Sequence, residues 1–149
     1  MRGEIIRLAA ELTVIDDTYN SNPGALVEAV RALTSSGEDR RIVVVAGEML
    51  ELGEQGAELH RECGRQIAAL GVDLLVGVRG LATELVDGAI EAGRRGASQA
   101  VFFATTEEAS ASLADLIQPR DLILVKGSRG VRMEQIVEHL RARFGPVGA

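Results

Sequence analysis

"LTVIDDTYNSNPGAL", residues 12–26, leads from a strand into a helix across a crowded polar junction. Leu12 to Ile15 form a short apolar run, and Leu26, Val30 and Leu33 then recur on one helical face. Between them stand two acids, a tyrosine, two asparagines and a proline. A plain strand-to-helix turn needs one capping residue and little else. The surplus of polar groups marks this junction as a candidate site.

The same strand-then-helix unit recurs to the end of the chain. "RIVVVA" (41–46), "DLLVGV" (73–78), "AVFFA" (100–104) and "DLILV" (121–125) are nearly continuous apolar runs, as expected of strands covered on both faces. Leu59, Cys63 and Ile67 share a helical face after the second strand, and Leu81, Leu85 and Ala89 after the third. Thr105 and Glu108 predict a capping box for the fourth helix. Met133, Ile136, Val137, Leu140 and Phe144 repeat the spacing after the last strand. Alternating strands and helices imply right-handed crossovers and a parallel sheet. The fold class is therefore a doubly wound, Rossmann-like α/β domain, with five parallel strands and helices on both faces. "EIIRL" (4–8) lies only three residues before "LTVID". That gap is too short for a crossover, so it predicts an antiparallel hairpin with "EIIRL" on an edge. Residues 1–144 read as one domain and 145–149 as a frayed tail.

Bulk composition narrows the function. A chain of 149 residues can bury roughly 70% of its unfolded surface. With 46% hydrophobic and 3% aromatic residues, the core must be aliphatic. A net charge of −6, no Trp and one Tyr argue against a nucleic-acid partner. Cys63 is the only cysteine, which excludes an internal disulfide and a cysteine-rich metal site. Glu4 and Arg7 interrupt what would have to be the apolar part of an export signal. No apolar run approaches the roughly 20 residues that span a bilayer. The expected location is the cytoplasm.

In doubly wound sheets ligands bind beyond the carboxyl ends of the strands. "DDTYNSN", "GEMLELGEQG", "RG", "TT" and "KGSRG" all fall on that rim. Gly47, Gly53 and Gly56 fit neither the dinucleotide nor the phosphate-loop pattern, and read as turn residues or a divergent anion loop. "KGSRG" suits an anion through Lys126, Ser128, Arg129 and its backbone amides, or is only a turn. Glu51 and Glu54 read as magnesium ligands or as helix-entry charges. His60 and His139 have no second ligand at metal spacing and read as solvated helix residues. No metal site is assigned.

Two acids after the first parallel strand, a hydroxyl after the fourth and a lysine after the fifth resemble a response-regulator receiver. Asp16, Asp17, Thr105 and Lys126 would take those places. Receiver chemistry also needs an acceptor aspartate after the third parallel strand. Val78, Arg79 and Gly80 stand there, and Asp73 lies at the strand's other end. A receiver-like phosphate- or small-molecule-binding module is thus the alternative, deprived of its essential residue.

"IDDTYNSNPGAL" (15–26) resembles the signature that opens the C-terminal domain of the Mur ligases. "AGEMLELGEQGAELHRECG" (46–64) is similar to a Gly-Asp-Met-x-Glu-Leu-Gly segment of that family with its following His-Arg. "DLILVKGSRGVRMEQIVEHL" (121–140) resembles its last strand and helix, and "MRGEI" (1–5) its arginine-bearing start. Four motifs in order cover nearly the whole chain. Ser21 stands where the family usually has Ala, Glu48 where it has Asp, and Ala25–Leu26 where it has Ser-Met. Tyr-Asn-x-Asn-Pro is typical of the branch that adds D-alanyl-D-alanine. It also speaks, with "KGSRG", against the nearest rival in the superfamily, folylpolyglutamate synthetase.

The resemblance implies a three-domain, ATP- and Mg2+-dependent ligase whose phosphate loop lies in a central domain. No Gly-Lys-[Ser/Thr] occurs in this chain. The chain is then expected to be an excised C-terminal domain, inactive alone, with the N-terminal and central domains as partners. In the implied reaction ATP phosphorylates the carboxylate of the UDP-N-acetylmuramoyl tripeptide. The amine of D-Ala-D-Ala attacks the acyl phosphate, and a tetrahedral intermediate collapses to the amide. By position, Asp17 would accept the ATP ribose hydroxyls. Arg2 would reach the γ-phosphate as the catalytic arginine. Asn20, Ser21 and Asn22 would lie where nucleotide and dipeptide meet. Lys126, Ser128 and Arg129 would hold the dipeptide carboxylate. Tyr19 and Pro23 would shape the turn, and Asp16 would be structural.

Overall fold

The computed structural model describes residues 3–19, 21–36, 39–92, 99–147. Arg2 and Asn20 therefore lie outside the described residues. β1 (Glu4–Leu8) and β2 (Leu12–Asp17) form the expected antiparallel hairpin, with Ile6 opposite Val14. Then follow α1 (Pro23–Ser36), β3 (Ile42–Gly47), α2 (Gly56–Ala69), β4 (Leu74–Val78) and α3 (Ala82–Ala92). β5 (Gln99–Phe103), α4 (Thr106–Leu116), β6 (Leu122–Lys126) and α5 (Glu134–Phe144) complete the fold. The sheet order is β1-β2-β6-β3-β4-β5, with every pair parallel except β1–β2. The doubly wound α/β class expected from the sequence is the fold observed.

Alternation along each strand divides the core in two. Val43, Val45, Val76, Ile123 and Val125 face α4 and α5 through Leu113, Ile136 and Leu140. Val44, Leu75 and Leu124 face the other way, onto Leu26 and Val30 of α1, Ile67 of α2 and Leu85 of α3. β3, β4 and β6 are buried along their whole length, which is why they are written almost without polar residues. Thr105 caps α4 by accepting the Glu108 N–H at 3.0 Å, while the Glu108 carboxylate reaches back to the Ala104 N–H.

Three expectations need adjusting. β2 and β6 each run one residue further than their apolar stretches, so Asp17 and Lys126 belong to the ladder. In α2 the buried face is His60, Cys63, Gly64 and Ile67, with Leu59 only half-buried. His60 is thus a core residue and not a solvated one. The tail is also tied down as far as Pro146. The Ala9 N–H donates to the Gly145 carbonyl at 2.9 Å, and Pro146 bridges to Leu8.

Candidate active site at the carboxyl rim of the sheet

α1 and α2, which follow β2 and β3, lie on one face of the sheet, whereas α5, which follows β6, lies on the other. The connections leaving β6 and its two neighbours therefore diverge at the carboxyl end of β6. This is the position where open α/β sheets bind ligands. Asp17 and Lys126 end β2 and β6 there.

The two residues are in register at the ends of adjacent parallel strands, so their side chains leave the same face. Lys126 Nζ lies 2.7 Å from Asp17 Oδ2. Lys126 is only 5% exposed and the Asp17 side chain 18%. The Gly127 N–H donates to the Asp17 carbonyl at 3.3 Å, which closes the two strand ends on each other. Asp16 accepts the Thr18 hydroxyl at 2.8 Å and is engaged within its own turn. A shallow groove of about 220 Å³ runs past Glu4, Asp16, Asp17, Thr18 and Tyr19. Gly3 packs on Ile15 at the head of this groove, where an added Cβ would stand 3.9 Å from the Asp17 Cβ.

The rest of the junction builds the start of α1. Asn22 is the N-cap: its Oδ1 accepts the Ala25 N–H at 2.9 Å and its carbonyl accepts the Leu26 N–H. Pro23 takes the first helical position, where a missing N–H costs nothing. Ser21 is buried beneath the turn. Tyr19, 53% exposed, has the Arg129 guanidinium 4.4 Å above its ring. That stacking joins the loop after β2 to the loop after β6. Ser128 is half-buried just before it.

A second set of contacts shapes the loop after β3. Glu48 accepts the Leu81 N–H at 3.0 Å, ahead of α3, and Arg79 Nε lies 3.7 Å away. Arg79 also donates to the Gly130 carbonyl at 3.1 Å, tying the loops after β4 and β6 together. His60 Nε2 accepts the Met49 N–H at 2.9 Å, and its Nδ1 lies 2.7 Å from the Gly56 carbonyl. Burial lowers the His60 pKa against the opposing pull of the Gly56 carbonyl and the Glu48 and Glu84 charges. Burial likewise pushes the Cys63 thiol up to about 12, which makes it inert. Among the described residues no group of three His, Cys, Asp or Glu side chains is placed to hold a metal ion.

Of the residues expected at the site, Asp17, Ser21 and Asn22 lie at the end of β2 or in the connection to α1, and Lys126, Ser128 and Arg129 at the end of β6 or just after it. Their roles divide. Asn22 caps a helix, and Lys126 meets Asp17 instead of facing solvent. The sequence reading missed His60 and Arg79. Arg79 carried a usable signal, a long cation immediately after a buried strand. His60 carried none, because both its partners are backbone groups.

The profile of the family described as "Mur ligase, glutamate ligase domain" matches residues 1–129. UDP-N-acetylmuramoyl-tripeptide–D-alanyl-D-alanine ligase of Bacillus subtilis (strain 168) is 29% identical over 140 residues, which cover 94% of this chain and 30% of that protein. A crystal structure of MurF from Acinetobacter baumannii superimposes with a TM-score of 0.78 at 31% identity, covering 93% of this chain and 30% of that one. MurF ligase from Thermotoga maritima in complex with ADP gives 0.72 at 25% identity, covering 92% and 30%. The chain thus spans about 30% of the length of these relatives. With the family profile matched along most of its length, the chain belongs to the Mur ligase family.

Proposed function

We propose that this chain is the C-terminal domain of an ATP-dependent, MurF-type ligase that adds D-Ala-D-Ala to the UDP-N-acetylmuramoyl tripeptide in the cytoplasm. The observation that carries the reading is the Asp17 carboxylate, anchored by Lys126 at the paired ends of β2 and β6 beside a groove. A carboxylate there suits the paired hydroxyls of a ribose. The groove's other acids, Glu4 and Asp16, favour the sugar over the phosphates, since triphosphate oxygens would be repelled. Arg2 takes, on the family resemblance, the role of spreading the charge of the transferring γ-phosphoryl group. Asn20, Ser21 and Asn22 are assigned by the resemblance to the meeting point of nucleotide and dipeptide, with Asn22 acting through the helix it caps. Ser128 and Arg129 face the incoming dipeptide, whose carboxylate an exposed guanidinium can hold. The Mg2+ that the resemblance implies is assigned with the phosphates to the central domain, since the Gly-Lys-[Ser/Thr] loop is not in this chain.

Steady-state kinetics of the longer enzyme carrying this chain test the assignment. Asp17 holds the ribose in ground and transition states alike, so Asp17→Asn is expected to raise KM for ATP with little change in kcat. Arg2 meets charge that develops during transfer, so Arg2→Ala is expected to lower kcat by roughly 10³-fold. Arg2→Lys should restore little, because an ammonium lacks the planar fork. An Arg2→Ala enzyme with wild-type kcat reduces Arg2 to an edge charge. A wild-type enzyme whose ATP turnover ignores D-Ala-D-Ala removes the ligase reading altogether.

A further inference from the structure

Lys126 has the type and place of a rim cation waiting for a substrate anion, yet its surroundings are those of a support. Lys126 is 5% exposed, and its ammonium lies 2.7 Å from Asp17 Oδ2, at the matching position of the neighbouring strand. A dipeptide carboxylate approaching this ammonium would have to displace the Asp17 carboxylate or lie against it, and like charges at that spacing repel. The exposed cation of the same turn is Arg129, over the Tyr19 ring. We propose that Lys126 is a positioning residue for the nucleotide half of the reaction: it holds Asp17 in the one orientation that presents its carboxylate to the ribose, and it does not contact the dipeptide.

The backbone is built for this task. Asp17 and Lys126 are the last ladder residues of β2 and β6, and the Gly127 N–H donates to the Asp17 carbonyl. Fully buried Met133 packs against Gly127, leaving no room there for a Cβ and fixing the chain just after the lysine. A carboxylate on a short side chain keeps two free torsions unless something binds it. A charge-assisted hydrogen bond from a nearly buried donor removes that freedom before the nucleotide arrives. Lysine suits the position because its compact ammonium occupies one carboxylate oxygen, whereas a guanidinium fork would take both.

The proposal rests on Asp17 being the ribose acceptor, and the test separates the two ideas. Lys126→Met, Lys126→Gln, Asp17→Asn and Asp17→Asn/Lys126→Met are compared in the longer enzyme, with ATP and D-Ala-D-Ala varied in turn. Lys126→Met is expected to raise KM for ATP about tenfold or more, the effect of one lost hydrogen bond between charged groups. KM for the dipeptide and kcat should stay within about twofold. Lys126→Gln keeps a donor without the charge and should fall between wild type and Lys126→Met; it also serves if the methionine variant does not fold. The double variant should be no worse than Asp17→Asn, since a support has no effect once its object is gone. A rise confined to KM for the dipeptide overturns the proposal and returns Lys126 to the dipeptide site. Unchanged kinetics reduce the pair to packing, and additive losses in the double variant show two independent roles. If Asp17→Asn itself leaves KM for ATP unchanged, the ribose reading fails and this proposal with it. If Asp17→Asn raises that KM and the lysine variants do not, only the proposal falls.

Discussion

A protonated imidazole at position 60 would have no acceptor to offer the Met49 N–H. His60 Nε2 must stay unprotonated to hold the loop after β3, and complete burial keeps it so. The folded-state pKa lies below the ordinary 6.5, so between the two values the unfolded chain binds more protons than the folded one. Stability from this group is therefore complete above about pH 6.5 and is lost as the pH falls towards the folded pKa. Urea unfolding at stepped pH values is expected to show wild type losing up to about 1.4 kcal/mol per pH unit below 6.5, relative to His60→Gln. A glutamine oxygen can still accept the Met49 N–H and does not titrate. Parallel slopes for the two proteins would show that His60 does not control this window. The same residue marks where the sequence stopped being readable. Apolar spacing put Leu59 inside and His60 outside, because spacing counts side-chain types and not the backbone groups that satisfy them. Asp17 was legible as a rim acid, but its bond to Lys126 depends on strand register, which no local pattern carries.

Elements were more legible than contacts. Five parallel strands and an edge hairpin follow from runs apolar on both faces, since two-sided burial leaves no place for alternation. Strand ends were not, because the last ladder residues, Asp17 and Lys126, are polar and lie outside the apolar runs. β6 lies between β2 and β3, and Leu124 is 2% exposed on the α1 face. Leu124→Ala is expected to cost about 2–5 kcal/mol in denaturant unfolding. A loss below about 1 kcal/mol would contradict its burial. The α2–α3 pair offers a sharper test. A Cβ on Gly64 would clash with the Leu85 carbonyl, and one on Gly88 with the Arg61 carbonyl, so the two helices touch backbone to backbone. Gly→Ala inside a helix ordinarily stabilises by about 1 kcal/mol. Here the alanine must push two main chains apart, and overpacking of that kind costs about 1–3 kcal/mol. Gly64→Ala is expected to be net destabilising. Arg61 and Arg65 bridge to Glu84 and Glu91 across the same helices, but these pairs are part-exposed and add too little to offset the clash. A stabilised Gly64→Ala protein would mean the helices can separate freely.

At the scale of the whole molecule, the proposed function implies that one complete core supplies only part of a catalyst. The rim carries Asp17 and the exposed Arg129, proposed above for the ribose and the dipeptide carboxylate, yet the chain has no Gly-Lys-[Ser/Thr] phosphate loop. The isolated chain, incubated with ATP, Mg2+, UDP-N-acetylmuramoyl tripeptide and D-Ala-D-Ala, is expected to release no phosphate above a protein-free blank. Sustained turnover would place the phosphate-binding machinery in this domain. The sheet order also bears on how the chain comes together in time. β2 pairs with β1 and β6, and β3 with β4 and β6, so β2 and β3 never touch through a ladder. Until residues 122–126 are available, the chain can form a two-stranded hairpin and a separate three-stranded unit, each with an open edge. A ribosome delivers β6 last of the six strands. The nascent domain must therefore keep two exposed, apolar strand edges from pairing wrongly while it waits for the strand that joins them. Pairings this distant in sequence close slowly. The strand that brings Lys126 to Asp17 is also the one whose arrival decides whether the chain folds or aggregates.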